Sequence, residues 1–450
     1  MLKLNDIITI DAEKLTYGGD CIGRWGENKF VVFIKNAVVG DKLKVKITSL
    51  NKTYAKAEIV EVINPSQKRT KALCPIYNAC GSCQLQNYDY DFLIEQKQKI
   101  LEDIFKGFEI KIFPFIKSPK ISEYRCKIQY PARQTKNSKR ILMGYFKNNS
   151  HELTNIKFCP MQPNIIDEIT QYIRDNWVLD CYNEKNNKGF LKNVIFRINS
   201  SLDSILIVFV LNTNKEKFKK SETETFFKKL IKAYPVIKGI FVNFNDRKSN
   251  SILGKTTEKI IGEDFIIETL DTKKYKIGAT SFFQVNPYCV ELLFDKIKEN
   301  IKPDSSILDA YGGVGAIGIY LKEKAKSITL IEENEEATKL ALENFKLNNI
   351  KNYEILTGDA KKHFLNFEKE NKKFDYIILD PPRSGCNKEG LKAISATANN
   401  IIYVSCNPET LRRDILYLKE ENFELISIQG ADMFPYTYHI ETVAILKRKT

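Results

Sequence analysis

The stretch "SSILDAYGGVGAIGIYLKEKA" (residues 305–325) decides the fold. A short apolar run of strand type leads into a glycine-rich turn, and apolar residues at helical spacing follow. The next segment, "SITLIEENEEATKLALENFKLNN" (327–349), repeats the order of strand, acidic residue and helix. Because strands that alternate with helices form parallel sheets, residues 281–450 are predicted to be a doubly wound, Rossmann-like α/β domain.

The glycine-rich turn predicts a ligand site. Gly312, Gly313 and Gly315 let a ligand approach the backbone, and Glu332, at the end of the second strand, is placed to hold a ribose diol. Such a turn serves NAD as well as S-adenosylmethionine. Asp309 opens the turn and the spacing G-x-G-x-x-G is absent, so a cofactor without a pyrophosphate is favoured.

Two further acids follow predicted strands. Asp359, in "LTGDAKK" (356–362), stands where methyltransferases of this layout place an acid or amide beside the adenine. Asp380 ends the strand in "FDYIILDPPRSGC" (374–386) and is expected to face cofactor and substrate, the alternative being an acid that only caps a loop. Amine methyltransferases have an aromatic residue after the two prolines. Arg383 stands there instead, which weakens an N-methylation interpretation.

The stretch "IIYVSCNPETLRRD" (401–414) places Cys406 at the end of a strand. Asn407 and Pro408 resemble a helix N-cap followed by proline in the first turn. The thiol is therefore expected to point into the crevice of Asp380 and to have a pKa below its usual ~8.5, because helix N-termini favour anions. The sequence thus predicts an activated nucleophile, whereas a buried, inert thiol is the alternative.

A partner for this thiol is found in "ADMFPYTYHIETVAILKRK" (431–449). Glu441 lies in an apolar, strand-like run, where burying a carboxylate is costly unless it is used or paired. A methyltransferase needs an activated thiol if its target is a poorly reactive carbon such as C5 of a uracil. Thiolate addition to C6 of the ring makes C5 nucleophilic, and a base must remove the C5 proton after C5 has taken the methyl group. Glu441 is the predicted base, with a structural ion pair as the alternative. Strand alternation puts His439 on the same face, where we expect it to orient Glu441.

The rest of the chain divides into two further parts. Residues 1–65 contain short alternating stretches such as "TYAKAEIVEVI" (53–63), which predict a small, OB-like β-barrel. Residues 66–280 mix helical and strand patterns and predict an α+β region. Barrels of this kind often bind nucleic acid, although any small β domain would show the same pattern.

Cysteines cluster in "CPIYNACGSC" (74–83), where Cys74, Cys80 and Cys83 are close enough to converge on one metal centre. Cys159 in "KFCPMQP" is the best candidate for a fourth ligand, because a proline follows it. Four thiolates suit zinc or an iron–sulfur cluster, and spacing does not separate these two; three unrelated thiols are the other alternative.

Composition limits the partners and the compartment. The formal net charge is +14 and the pI about 9.0, which fits a polyanionic partner or, equally, a genome rich in lysine codons. No apolar run approaches the ~20 residues of a membrane span, and the N-terminus lacks a signal-peptide pattern. A cytoplasmic location without membrane association is expected, and a monomer is the default.

Taken together, these motifs resemble the RNA (uracil-5-)-methyltransferase family over nearly the whole length. The resemblance rests on a TRAM-like barrel (1–65), the cysteine motif with Cys159, and the five motifs "SFFQVN" (281–286), "LDAYGGVGAIG" (308–318), "LDPPRSG" (379–385), "VSCNPETLRRD" (404–414) and "DMFPYTYHIETVAIL" (432–446).

The resemblance implies roles for single residues. Cys406 would be the nucleophile and Glu441 the base. Contacts to S-adenosylmethionine or the reacting base are implied for Gln284, Tyr311, Glu332, Asp380 and, less directly, Asp359. A [4Fe–4S] cluster is implied on Cys74, Cys80, Cys83 and Cys159.

The expected reaction is methylation of uracil C5 in RNA to 5-methyluridine. The cysteine cluster and the TRAM-like barrel favour ribosomal RNA, with 23S rRNA as the expected substrate. The alternatives are the T-loop of tRNA, methylation of another atom such as cytosine C5 or an exocyclic amine, and a non-catalytic RNA-binding iron–sulfur protein.

Overall fold

A computed structural model describes residues 2–135, 139–147, 150–248 and 251–449 of the chain. Its N-terminal unit is a six-stranded sheet in the order β1-β5-β6-β4-β3-β2. The strands are β1 (Ile7–Asp11), β2 (Lys14–Leu15), β3 (Cys21–Trp25), β4 (Phe30–Ile34), β5 (Lys42–Leu50) and β6 (Tyr54–Asn64). This confirms the predicted small all-β unit.

The sheet curls so that its edge strand β1 meets β3. Gly23 of β3 lies against the carbonyl oxygen of Asp11 and the side chain of Ile10, and a Cβ there would stand 2.4 Å from that oxygen. Alternate residues of β5, Leu43, Val45 and Ile47, are buried inside. A strictly alternating strand of this kind has one face in the core and one in solvent.

Two elements connect the N-terminal unit to the rest, α1 (Tyr90–Ile104) and β7 (Lys111–Ile116). The sequence placed both in the central region. The backbone hydrogen bonds of β7 instead join it, in parallel, to a strand near the end of the chain, so that it forms the edge of the C-terminal sheet. Pairing between segments some 300 residues apart leaves no local pattern in a sequence.

The central unit is a seven-stranded sheet in the order β10-β9-β8-β11-β12-β13-β14. Its elements are β8 (Lys127–Gln134), β9 (Ile141–Phe146), β10 (Leu153–Asn155), α2 (Asn164–Asn176), β11 (Leu191–Ile198), β12 (Ile205–Leu211), α3 (Ser221–Ala233), β13 (Ile237–Phe244) and β14 (Thr256–Gly262). Every residue of β12 is buried, as its unbroken apolar run requires. The rings of Trp177, Phe209, Phe226 and Phe227 pack the helices on this sheet.

A hairpin leads into the C-terminal unit: β15 (Phe265–Leu270) and β16 (Lys273–Gly278). Tyr275 of β16 is buried in the C-terminal core, and its hydroxyl donates to the carbonyl of Ala316 at 3.3 Å. The hairpin therefore packs on the C-terminal unit, although the sequence grouped it with residues 66–280. The domain limits at 65 and 280 stay predictions.

The C-terminal unit is an eight-stranded sheet with helices on both faces, in the order β19-β18-β17-β20-β21-β23-β22-β7. Its other elements are α4 (Pro287–Glu299), β17 (Ser305–Ala310), α5 (Ala316–Tyr320), β18 (Ala325–Glu332), α6 (Glu335–Leu347), β19 (Tyr353–Thr357), α7 (Ala360–Lys369), β20 (Phe374–Leu379), α8 (Lys388–Thr397), β21 (Ala398–Ser405), α9 (Pro408–Glu420), β22 (Phe423–Ala431) and β23 (Glu441–Arg448). The predicted doubly wound parallel sheet is confirmed, with β23 inserted antiparallel between β21 and β22.

The order of strands reverses between β17 and β20, and such a switch point opens a crevice at the carboxyl ends of the strands. In the described ranges, no helix is both long and apolar enough to cross a membrane. The expected cytoplasmic location and monomeric state remain predictions.

Candidate active site

The crevice at the switch point collects residues that follow three neighbouring strands. Tyr311 comes after β17, Asp380 after β20 and Cys406 after β21. Gln284, Tyr311, Gly312, Gly313 and Asp380 line one cavity there. The structure thus brings together Gln284, Tyr311 and Asp380, as the motifs led us to expect.

Two carboxylates accept hydrogen bonds from backbone N–H groups in and just after the glycine-rich turn. The backbone N–H of Gly313 donates to Glu332 Oε2 at 3.0 Å, so this carboxylate at the end of β18 lies directly beside the turn. Asp309 is fully buried and accepts from the N–H of Gly318 at 2.8 Å, which ties α5 to β17. Burial raises the pKa of Asp309 to about 7. Gly315 is required at its position, because its φ is +87° and a Cβ would lie 2.8 Å from the ring of Phe345.

Asp359 has a clear local role. It is the N-cap of α7, where its side chain accepts from the N–H of Lys362 at 3.0 Å. The side chain is exposed and does not line the cavity of Gln284 and Asp380. The expected contact between Asp359 and an adenine remains a prediction.

Cys406, Asp380 and Glu441 influence one another electrostatically. Burial, with the neighbouring Glu441 and Asp380 carboxylates, raises the pKa of the Cys406 thiol to about 11. Burial, assisted by Asp380, places the pKa of Glu441 well above its usual range, and burial alone raises the pKa of Asp380 to about 7. Three acidic groups therefore face each other where water is largely excluded.

The predicted low pKa of Cys406 is wrong for the free protein. The expected cap is present: Asn407 accepts from the N–H groups of Glu409 and Thr410, and Pro408 opens α9. Cys406 precedes this cap, so Asn407 rather than the thiol takes up the helix terminus. Desolvation and two carboxylates then outweigh what remains of the helix dipole.

Arg383 is a residue whose role the sequence did not predict. Its guanidinium lowers the pKa of the neighbouring Cys406 thiol, and its charge also lowers the pKa of Glu441. The available signal was a cation directly after Pro381 and Pro382.

The alternation argument for His439 is wrong, because β23 begins at Glu441 and His439 lies in the preceding loop. The imidazole packs on Tyr438 and Phe434, with ring centroids at 4.4 and 5.5 Å. Burial and then the positive charges of Arg383 and other basic neighbours lower the pKa of His439 to about 4. The ring is neutral at physiological pH.

A buried ion pair anchors this loop to α1. Lys97 Nζ donates to Asp432 Oδ1 at 2.6 Å and to the carbonyl of His439 at 2.9 Å. The Tyr90 hydroxyl donates to Asp432 Oδ2 at 2.9 Å. Lys97 and Asp432 are both fully buried. The sequence offered one signal for this anchor, a lysine on the apolar face of a helix.

The four cysteines of the predicted cluster line one cavity. Cys74, Cys80, Cys83 and Cys159 surround it together with Arg125 and six apolar or aromatic neighbours, among them Tyr145. Within the described ranges, no set of three or more His, Cys, Asp or Glu side chains is arranged to hold a metal ion. The structure therefore brings the four predicted ligand thiols to one cavity.

Comparison with known proteins gives family matches over most of the chain. Residues 89–449 match the family model "tRNA (Uracil-5-)-methyltransferase", and residues 3–60 match the TRAM domain. Proteins described as uncharacterized RNA methyltransferases are similar along nearly the full length. One from Oceanobacillus iheyensis is 33% identical over 99% of this chain and 97% of its own. One from Clostridium acetobutylicum is 33% identical over 95% and 96%.

A solved structure is similar throughout. The tRNA (uracil-54, C5)-methyltransferase of Pyrococcus abyssi, determined in complex with S-adenosyl-L-homocysteine, superposes with a TM-score of 0.77. It is 27% identical and covers 98% of this chain and 100% of its own. The arrangement of all three units is thus shared with a known enzyme.

Proposed function

Since the chain belongs to the tRNA (uracil-5-)-methyltransferase family and is an S-adenosylmethionine-dependent RNA methyltransferase, we propose that it methylates C5 of uracil through Cys406 and Glu441. The observation that carries this mechanism is the mutual placement of Cys406, Asp380 and Glu441, with Arg383 beside them. A nucleophile, a buried acid and a cation in one crevice match what alkylation at an unreactive ring carbon needs.

In the proposed reaction the partly buried Cys406 gives its proton to water, and the thiolate sulfur bonds to C6 of a flipped-out uracil while the C5–C6 π electrons move towards O4. Bound S-adenosylmethionine supplies the methyl group that C5 takes as the sulfonium C–S bond breaks. Glu441 then accepts the C5 proton, the C5–C6 double bond re-forms, and the C6–sulfur bond breaks to release Cys406.

The electrostatics of the crevice support this sequence of steps. Arg383 favours the Cys406 thiolate, whereas Glu441 and Asp380 oppose it. Once the sulfur is bonded to C6 it carries no charge, and its repulsion of the Glu441 carboxylate disappears. The raised pKa of Glu441 makes its carboxylate a stronger base than an exposed glutamate.

Gln284, Tyr311, Glu332 and Asp380 are proposed to hold the cofactor. Gln284, Tyr311 and Asp380 line the cavity at the strand ends, and Glu332 is fixed beside the glycine turn by the N–H of Gly313. A carboxylate at the end of the second strand suits a ribose diol. Phe282, 61% exposed at the same cavity, offers an aromatic face to a ligand or base.

We also propose that Cys74, Cys80, Cys83 and Cys159 hold a [4Fe–4S] cluster. The support is their shared cavity and the match between four thiols and the four ligands of such a cluster. A single zinc ion bound at ~2.3 Å by the same four thiolates is the alternative, and measurement of iron and sulfide content separates the two. The proposed contribution of the cluster is structural, since no step of the methyl transfer consumes an electron.

Two classes of RNA compete as the substrate. The combination of a cysteine cluster with a TRAM domain favours 23S rRNA, which we propose as the target. The structural similarity to a tRNA (uracil-54, C5)-methyltransferase favours tRNA as the second candidate. Mapping 5-methyluridine in total RNA from a strain that lacks the gene decides between them, because the lost modification identifies the RNA and the position.

The mechanism is tested with Cys406→Ala. We expect this variant to lose turnover and to form no covalent complex with RNA that contains 5-fluorouridine, whereas binding of S-adenosylmethionine persists, because the thiol bonds to the base and not to the cofactor. Cys386→Ala is the matched control. Cys386 follows β20, and its buried thiol accepts a hydrogen bond from the Tyr403 hydroxyl.

Normal methylation by Cys406→Ala would contradict the mechanism. A nucleoside digest of RNA labelled by the wild-type protein tests the product. Label in 5-methylcytidine or in a methylated amine would contradict uracil C5 as the target, and RNA binding without any methyl transfer would favour the non-catalytic alternative.

A further inference from the structure

The turn between β2 and β3 of the N-terminal unit, Thr16–Asp20, reaches the catalytic crevice. Its conformation is fixed: the N–H and the hydroxyl of Thr16 both donate to the carbonyl of Asp20, at 2.9 and 2.7 Å. Gly18 and Gly19 have φ values of +113° and +94°, which side chains other than hydrogen rarely allow. A rigid turn of this kind holds Tyr17 in a defined position.

The turn rests on the loop that leads to Glu441. Gly19 is buried so closely that a Cβ would lie 3.3 Å from Gln84 and 3.4 Å from Tyr438. The rings of Tyr17 and Tyr438 meet edge to face, with centroids 6.1 Å apart. Tyr438 stands three residues before Glu441 in the chain. The N-terminal unit therefore contacts the segment that carries the proposed base.

The phenol of Tyr17 also lies near the proposed nucleophile. Burial raises the pKa of Tyr17, the charges of Cys406 and Glu409 raise it further, and Arg383 lowers it. These groups come from the ends of β20 and β21 and from the start of α9. Tyr17 is only partly buried, so part of its surface is accessible to a ligand.

A groove continues from this point along the N-terminal sheet. Gly18, Gly19, Tyr438 and His439 form one end, and side chains of the sheet, including Phe33 and Lys56, line the rest. Lys35 and Lys56 line the groove together with Asp20 and Glu58, and the rings of Phe33 and Tyr438 add aromatic faces on which the bases of a single RNA strand could stack. An RNA strand in this groove would end at the turn that carries Tyr17, because Gly18 and Gly19 of that turn line the groove.

We propose that Tyr17, with Tyr438 behind it, forms the aromatic wall on which the flipped uracil stacks before Cys406 attacks it. The proposal rests on the proposed function and extends it, because it makes the N-terminal unit part of the active site. A base that leaves its helix loses its stacking partners. An aromatic side chain that replaces them stabilises the flipped base by stacking.

The test uses the full-length protein with Tyr17→Ala, Tyr17→Phe and Tyr17→Leu. We expect Tyr17→Ala and Tyr17→Leu to slow single-turnover methylation and adduct formation with 5-fluorouridine RNA, both at saturating RNA, by roughly 10-fold to 100-fold. Tyr17→Phe keeps the ring and should stay near the wild-type rate. Tyr17→Leu keeps an apolar contact to Tyr438, so that a slow rate in this variant reports the missing ring and not a misplaced turn.

Phe30→Ala is the matched control, because Phe30 is a partly buried aromatic residue of the same sheet and does not line the groove. We expect this variant to keep the wild-type rate at saturating RNA. Binding of S-adenosylmethionine should be unchanged in all variants.

The two proposals fail in different ways. If the wild-type protein forms 5-methyluridine and Tyr17→Ala and Tyr17→Leu do so at the same rate, the role of Tyr17 is overturned and the proposed function stands. If the wild-type protein forms no 5-methyluridine, both are overturned.

Discussion

At the scale of single residues, the protonation states of three acidic groups determine the chemistry of the crevice. Cys406, Asp380 and Glu441 all have raised pKa values, because each is desolvated and because neighbouring carboxylates add to the effect at Cys406 and Glu441. Arg383 is the nearby charge that opposes this trend for Cys406 and Glu441. The reactivity of the thiol therefore depends on the balance between one guanidinium and two carboxyl groups.

This balance predicts a pH dependence. Because the pKa of Cys406 lies near 11 in the free protein, the rate of adduct formation should rise as the pH rises through and above neutrality. Arg383→Gln removes a charge that lowers this pKa. We expect its rate profile to move to higher pH by about one pH unit, with Arg383→Lys between it and the wild type.

The measurement is the rate of adduct formation with 5-fluorouridine RNA, at saturating RNA, over a pH series. Saturation separates an effect on the thiol from weaker RNA binding. Superimposable profiles for the wild type and Arg383→Gln would contradict the assigned role.

At the scale of elements, the proposed reacting groups lie at the ends of strands, and α1 holds the segment that leads to Glu441 in place. The Lys97–Asp432 pair joins α1 to the segment before β23, and Lys97 also binds the carbonyl of His439, two residues before Glu441. A displacement of this segment would move the proposed base away from the ring carbon it serves. Geometric errors of about 1 Å are costly in catalysis.

Removal of Lys97 is therefore expected to affect both stability and rate. Lys97→Met leaves Asp432 buried without its cation, which should lower the free energy of unfolding by about 3–5 kcal/mol. The additional change Asp432→Asn should recover part of that loss. Methylation at saturating substrates should stay slow in both variants, because the contact to the His439 carbonyl is missing.

Lys99→Met serves as the control for this pair, because Lys99 lies on the exposed side of the same helix. It should change the free energy of unfolding by no more than about 0.5 kcal/mol. Chemical denaturation gives the stabilities. Equal losses in Lys97→Met and Lys99→Met would mean that the buried pair contributes nothing.

At the scale of the whole molecule, the cysteine segment 74–85 joins all three units. The N–H groups of Gln84 and Leu85 both donate to the carbonyl of Tyr436, at 3.1 and 3.0 Å. Thr154 of β10 donates to the carbonyl of Ala79, and Gly19 of the N-terminal unit packs on Gln84. A cluster on this segment would fix the relative positions of the groove, the central sheet and the loop before Glu441.

Cys80→Ser tests this role. We expect a loss of iron and sulfide, a lower midpoint of thermal unfolding and weaker RNA binding, whereas S-adenosylmethionine still binds, because its cavity lies at the strand ends. The readouts are iron and sulfide content, visible absorbance, and thermal unfolding. Cys181→Ala changes a buried thiol outside the cluster cavity and should keep the iron. A Cys80→Ser protein with unchanged unfolding and RNA affinity would contradict the structural role.

Much of the fold could be predicted because its signals are local. Alternating and helical periods, turn residues and strand–glycine–helix transitions are properties of neighbouring residues, and they correctly indicated the β unit and the doubly wound sheet. The same logic placed Tyr311, Asp380 and Cys406 at the ends of parallel strands. The assignment of β7 and of the β15–β16 hairpin failed, since their partners lie elsewhere in the chain.

The sequence by itself determined the family, the sheet, the cap at Asn407 and the identity of the proposed catalytic pair. Only the tertiary structure decided how these residues are charged and which neighbours serve them: Arg383 beside Cys406, Lys97 behind His439 and Tyr17 at the mouth of the crevice. The physical reason is that a pKa and a contact depend on every group within a few ångströms. Here those groups come from segments up to about 400 residues apart, whereas a motif records only adjacent ones.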